Sequence, residues 1–347
     1  MLDLLSKQYI SIQVIKTLYS RFENFPENSS NNRNAPFHEA FLNAFSDKLA
    51  GKVTDIPFFI SLSSWLHGLS TTLGQSFFEN IAHVLSYGEK KSFTKGAGYS
   101  LTVTNNQKEI IGNIITDLKN GNKTPSLTDE NYLLFSVNKT ENITEANNFT
   151  VDVFFESERE IYAIELKTVK PNAGEMRGEK QKILEAKAAL MHLYPNKKIN
   201  YYIGFPFDPT SLESIHSDKS RFLRSIIDGT KYFDPEEVLL ADELWNFLSG
   251  GTNTMQEIIN LINVIATPQF MEIYNFLNES KNRLEDPKKY RTLLQNWNLF
   301  NEVELLDLFT NNNITEEKAK RIYWQSIFSA GEYKENRNMS NINKLLA

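Results

Sequence analysis

The stretch FTVDVFFESEREIYAIELKTV, residues 149–169, decides the fold. Thr150 to Phe155 is a run of β-branched and aromatic residues, and Ile161 to Val169 is a second. The polar segment ESERE, 156–160, separates them, so the two runs predict a β-hairpin. Three ionisable residues stand inside it: Asp152 in the first strand, Glu165 and Lys167 in the second. Side chains alternate along a strand, so Glu165 and Lys167 point to one face, while Ile164 and Leu166 point to the other. Antiparallel pairing can bring Asp152 to the face of Glu165.

Two carboxylates so placed in a half-buried sheet repel each other and lose hydration. A divalent cation removes both penalties, and hard oxygen ligands of this kind suit Mg²⁺. The expected metal ligands are Asp152, Glu165 and the backbone carbonyl of Leu166. An ion held there polarises a scissile phosphate and activates a water for in-line attack. Lys167 places a positive charge beside the charge that develops. Glu79, set among Phe77, Phe78 and Ile81 on a preceding helix, is expected to add a water-mediated contact. The spacing Glu-x-Lys is uninformative alone, since the chain contains it six times. Only the instance at Glu165 lies on an expected interior strand with an acidic residue on the strand before it.

The flanking elements build a core around the hairpin. LHGLSTTLGQSFFENIAHVLSYG, 66–88, predicts a helix with Leu73, Phe77, Phe78, Ile81, Val84 and Leu85 buried and Gly88 at its end. NYLLFSVN, Asn131 to Asn138, reads as a strand preceding the hairpin. MRGEKQKILEAKAALMHLYP, 176–195, predicts an amphipathic helix with Ile183, Leu184, Ala188, Leu190 and Met191 inward. Ile199 to Phe207 reads as the next strand. The order is helix, strand, strand, strand, helix, strand, which is a mixed α/β class. Residues 1–65 read as helical, with Leu4, Leu5, Ile12, Ile15, Leu18, Tyr19 and Phe22 on one face. Phe37, Phe41, Leu42 and Phe45 are expected inward on the next helix, which stops near Gly51. From about 210 onward the pattern is helical again. The expected division is 1–65, a helical region; 66–208, the core; and 209–347, a helical region for dimerisation or DNA recognition.

Composition narrows the function classes. Apolar residues form 41% of the 347-residue chain, with 24 Phe and 14 Tyr, enough for a sizeable core. No apolar run reaches the ~18 residues of a membrane span, and the N-terminus lacks a signal-peptide pattern, so a cytoplasmic location is expected. Cysteine is absent, which removes disulfides, thiolate metal sites and Cys nucleophiles. The five His show no HExxH, and no P-loop or GxGxxG occurs. Net charge is −6, yet Glu165 to Lys198 holds eight Lys or Arg against four Glu. A basic strip beside two metal-binding carboxylates can receive a phosphodiester backbone. Lys170, Asn172, Arg177, Lys180 and Lys182 are the candidate DNA contacts. PNAGEMRG, 171–178, reads as a pliable loop, in which Arg suits guanine and Asn suits adenine.

An Asp, about a dozen residues and then Glu-x-Lys on a hairpin, framed by helix before and helix and strand after, resembles the PD-(D/E)xK nuclease superfamily and its αβββαβ core. Val151 stands where the motif's name places Pro. Further segments, APFHEAFL, LGQSFFENIA, VDVFFESE and IELKTVKPNAGEMRGEKQKILEAKA, are similar to the TdeIII/MjaII family of type II restriction endonucleases. The resemblance spans scattered segments from about 34 to 208. It implies Mg²⁺-dependent cleavage of double-stranded DNA at a short palindrome, GGNCC, and a cognate DNA methyltransferase encoded nearby. Cutting a palindrome on both strands calls for two active sites, hence a homodimer with two-fold symmetry. Two other readings stay open on the residues: a repair or structure-selective nuclease of the same fold, and a catalytically silent DNA-binding or scaffold protein. The intact set of Asp152, Glu165 and Lys167 speaks against the second.

Overall fold

The hairpin forms as expected, and a mixed sheet grows from it. The computed structural model describes residues 1–26, 36–53, 56–138, 142–168, 173–211 and 218–346. Five strands form the central sheet: β1 (Glu89–Phe93), β4 (Phe149–Glu156), β5 (Glu160–Leu166), β6 (Lys198–Phe205) and β7 (Val238–Leu240), in that spatial order. Strands β2 (Thr102–Thr104) and β3 (Ile143–Glu145) pair separately. β4 runs antiparallel to both β1 and β5, whereas β5, β6 and β7 are mutually parallel neighbours. A parallel pair needs a crossover, and helix Ala173–Leu193 supplies the one between β5 and β6. Its Ile183, Leu184, Ala188, Leu190 and Met191 are buried, as their spacing requires.

The chain divides into two compact units, residues 1–2 with 78–257, and residues 3–77 with 258–347. The first holds the sheet. Its helix Phe78–Ser86 ends on Tyr87, which takes the left-handed conformation at φ 52°. Gly88 follows because a Cβ there would stand 2.8 Å from the Phe154 carbonyl oxygen. Among its described residues the second unit is helical apart from a small hairpin, Phe328–Ser329 with Glu332–Tyr333. It is sewn internally by polar bonds: Asn301 N–H donates to Gln8 Oε1 at 2.7 Å, and buried Arg337 pairs with Glu302 at 2.6 Å. Trp297, Phe270 and Phe328 fill its core. Among the described residues no helix is long and apolar enough to cross a membrane.

Several expectations change. Asn131 to Asn138 is not a strand; most of it lies in helix Leu127–Phe135, whose first turn is capped by the Ser126 side chain accepting from Asp129 N–H. The strand preceding the hairpin in the sheet is β1, EKKSF. Its charges mask it in the sequence because it is an edge strand, where lysines are tolerated and even protective. The Val238–Leu240 run, expected as helix, is β7, buried at all three positions. PNAGEMRG is not a loop from Ala173 onward, where the crossover helix has already begun. On helix Leu4–Glu23 the buried apolar residues are Ile10, Ile12, Val14 and Ile15, while Leu4, Leu5 and Phe22 are exposed; Phe41 and Phe45 are exposed as well. A helical repeat identifies a face but not what covers it.

One candidate DNA contact is overturned outright. Lys180 is fully buried, with its Nζ 2.5 Å from both Glu130 and Glu237. Lys187, about two turns further on, is equally buried and donates to Asn131 Oδ1 at 3.1 Å. Burial holds the Lys187 ammonium below its ordinary range and pushes the Glu130 carboxyl above its own. These groups join helix Leu127–Phe135, the crossover helix and the turn Pro235–Glu237 inside the first unit. Lys180 is therefore a core ion. Replacing it by Met leaves two buried carboxylates short of a partner, and the expected loss is ~3–5 kcal/mol of unfolding free energy. Urea denaturation of Lys180→Met measures it; an unchanged midpoint would contradict this role.

Candidate active site

The β4–β5 register pairs Val153 with Ile164 and Phe154 with Ala163. Continued by one residue, it sets Asp152 opposite Glu165. Alternation then puts both carboxylates, with Lys167, on one face of the sheet. The crossover helix packs against that face: its Lys182 Nζ lies 2.6 Å from Glu165 Oε2, and its Glu179 Oε1 lies 2.8 Å from Lys167 Nζ. Lys167 is also 3.4 Å from Glu165 Oε1. The sheet's other face carries Phe155, Tyr162 and Tyr202 around Phe247 of helix Asp242–Ser249.

Asp152 is held from several sides. Its Oδ2 accepts the Leu166 N–H at 2.9 Å, which ties the two strands together beyond the last ladder pair. Its backbone carbonyl lies 2.7 Å from His83 Nε2 on helix Phe78–Ser86. Its Oδ1 lies 3.5 Å from Lys90 Nζ, and Lys90 in turn sits 3.1 Å from each oxygen of Glu79. Glu79 thus reaches the site through a lysine shared with Asp152.

Electrostatics follow from this crowding. Burial, and next the Asp152 charge, push the Glu165 carboxyl above the ordinary glutamate range, against the pull of Lys182. Burial works to lower Lys167, but the Glu179 hydrogen bond and the charges of Glu165 and Glu179 outweigh it and raise it. Tyr201 of β6 is buried with no partner for its hydroxyl among the described residues; burial, then the charges of Glu165, Asp152 and Glu179, push it well up. Glu179 Oε2 is likewise buried without a hydrogen bond among the described residues.

The structure brings Asp152, Glu165, Lys167, Lys182 and Glu79 into one charged cluster. Arg177 is exposed on the crossover helix, and Lys180 is in the core. Lys170 and Asn172 lie outside the described residues. Glu179, Lys90, His83 and Tyr201 were not singled out from sequence. His83 had a signal, since it stands four residues after Glu79 on one helix face. The other three meet the site only through tertiary packing. A cleft of about 440 Å³ along the crossover helix, lined by Lys108, Ile111, Gln181 and Glu185 among others, includes none of the cluster.

A divalent ion fits the donor chemistry. Two hard carboxylates share a face, where burial first and then the Asp152 charge push Glu165 upward. Among the described residues no three His, Cys, Asp or Glu side chains gather as ligands. What the described residues offer a hard cation is the Asp152–Glu165 pair, which backbone or solvent oxygen would have to complete.

A family model described as type II restriction endonuclease, HinfI, matches residues 6–266. The chain is also 44% identical over 353 residues to the type II restriction enzyme MjaII of Methanocaldococcus jannaschii, covering 95% of this chain and 94% of that protein.

A pH dependence follows from Glu165. Its folded carboxyl binds a proton more tightly than the unfolded one, near 4.5, so its ionisation at neutral pH opposes folding. That opposition fades as pH falls through the raised value and is gone below the unfolded one. Glu165→Gln, measured in EDTA, should melt higher than wild type at pH 7, with the gap closing as pH approaches 4.5. A gap that widens on acidification would reverse the sign.

Proposed function

The chain belongs to the HinfI family of type II restriction endonucleases, site-specific deoxyribonucleases, and from that premise we propose that it cleaves both strands of duplex DNA at GGNCC with Mg²⁺. The observation that carries the mechanism is the pairing of Asp152 and Glu165 across β4 and β5 with Lys167 on their face. The recognition sequence rests on the similarity to the TdeIII/MjaII family.

The succession of helix Phe78–Ser86, β1, β4, β5, the crossover helix and β6 supports a PD-(D/E)xK core with insertions, lying within 66–208. Asp152, Glu165 and the Leu166 carbonyl hold the ion, with Glu79 at one remove. When bound, the ion supplies Lewis acidity toward the scissile phosphate and an acidified water. Asp152 and Glu165 would hold it on the face of β4 and β5. Lys167, clamped by Glu179, presents a fixed positive charge where the phosphate gains negative charge. Lys182 and Arg177 on the crossover helix, with Lys170 and Asn172 before it, contact the DNA. The helical region 209–347 serves dimerisation and groove reading, so that a two-fold dimer sets one site on each strand. The enzyme works in the cytoplasm beside a DNA methyltransferase of the same specificity, encoded nearby.

Incubation with phage DNA and Mg²⁺ should yield discrete fragments, and EDTA should prevent them. A smear would point to a non-specific nuclease, and no cutting in any divalent metal would end this reading. Asp152→Ala, Glu165→Ala and Lys167→Ala should each lower cleavage by about 10³-fold or more while leaving duplex binding largely intact. Wild-type cleavage by Glu165→Ala would move the site elsewhere. Sedimentation should show a dimer; a monomer both free and on cognate DNA would contradict the assembly.

A further inference from the structure

The lysines of the cluster fall into two kinds. Lys167 is 19% exposed and held between Glu165 and Glu179, with Glu175 at 4.0 Å. Lys90 and Lys182 are more open, with side chains 48% and 33% exposed. Each nonetheless rests its ammonium on oxygens of the acid cluster: Lys90 on Glu79 and Asp152, Lys182 on Glu165. A carboxylate oxygen that binds a divalent cation cannot keep a full-strength contact with an ammonium, because the two cations repel at such range. A long, partly exposed lysine displaced from it has reach and freedom to find another anion. The nearest anion in a nuclease complex is the phosphodiester backbone.

We infer that Lys90 and Lys182 are exchangeable cations, which neutralise Asp152, Glu79 and Glu165 until a divalent ion takes Asp152 and Glu165, and which then pair with DNA phosphate. This rests on the reading that Asp152 and Glu165 hold the ion, and it adds Lys90 as a phosphate contact. Ion and DNA thereby assist each other: the ion frees the lysines, and the phosphates keep them from returning. No bond is made or broken in the exchange.

The test uses the full-length protein, Ca²⁺ titration calorimetry and the anisotropy of a labelled duplex over a range of salt. Lys90→Met and Lys182→Met should each bind Ca²⁺ roughly three- to tenfold tighter than wild type, since a competing charge is gone. Lys90→Arg and Lys182→Arg keep the charge and should stay at or below wild-type affinity. In Ca²⁺, each Met variant should bind duplex more weakly and lose about 0.9 from the salt slope, the share of one phosphate contact. In EDTA the slopes should match wild type. Folded Met variants with unchanged or weaker Ca²⁺ affinity, or with an unchanged slope in Ca²⁺, would overturn the exchange. Failure of both Met variants to fold, read by circular dichroism, would mark these lysines as structural and overturn it as well. If wild type binds no Ca²⁺, or Asp152→Ala and Glu165→Ala bind it as wild type does, the metal-site reading itself fails instead.

Discussion

Two negative charges on neighbouring strands are the constraint around which the first unit is arranged. Antiparallel pairing of β4 and β5 sets Asp152 opposite Glu165, and the crossover helix then covers them. Most of the water that would have screened the pair is displaced, the side chains of Asp152 and Glu165 being 16% and 8% exposed, so the repulsion is met largely by the protein. It is met by three lysines from three elements, Lys90 on β1, Lys167 past the end of β5, and Lys182 on the crossover helix. The hydrogen bond from Leu166 N–H and the contact of His83 with the Asp152 carbonyl fix the backbone beneath. A site of this kind costs stability, because burial and like charge both oppose the ionisation of Glu165.

The same unit shows how burial divides one residue type into two roles. Lys180 and Lys187 lie on the same helix as Lys182 and would be indistinguishable from it by charge alone. They are wholly enclosed with Glu130 and Glu237, where a charge without its partner would be intolerable. Lys182 lies on the helix where it meets the carboxylate pair and stays partly open to solvent. One face of the crossover helix therefore locks the fold, and a neighbouring one serves the acids.

Legibility in the sequence tracks how local each determinant is. The hairpin could be read because two β-rich runs flank a polar turn, and the long helix because its apolar residues recur at helical spacing from Ile183 to Met191. β1 could not, since EKKSF is an edge strand whose ladder partner lies far along the chain. The run Tyr132, Leu133, Leu134 looked like a strand, but Ser126 caps a helix there and only Leu134 is buried. Val238–Leu240 looked helical within EEVLLADELW and became a strand by pairing with β6.

By itself the sequence determined which chemistry is on offer: no thiols, few histidines, an Asp and a Glu-x-Lys on two adjacent strands, and lysines in surplus nearby. Those follow from residue type and period-two alternation, which need no knowledge of distant chain. Only the tertiary structure decided which lysine meets which acid, that Glu179 and Lys90 join the cluster, and that Lys180 leaves it. Charges act through space rather than along the chain, so their partners are settled when the crossover helix and β1 pack against the pair.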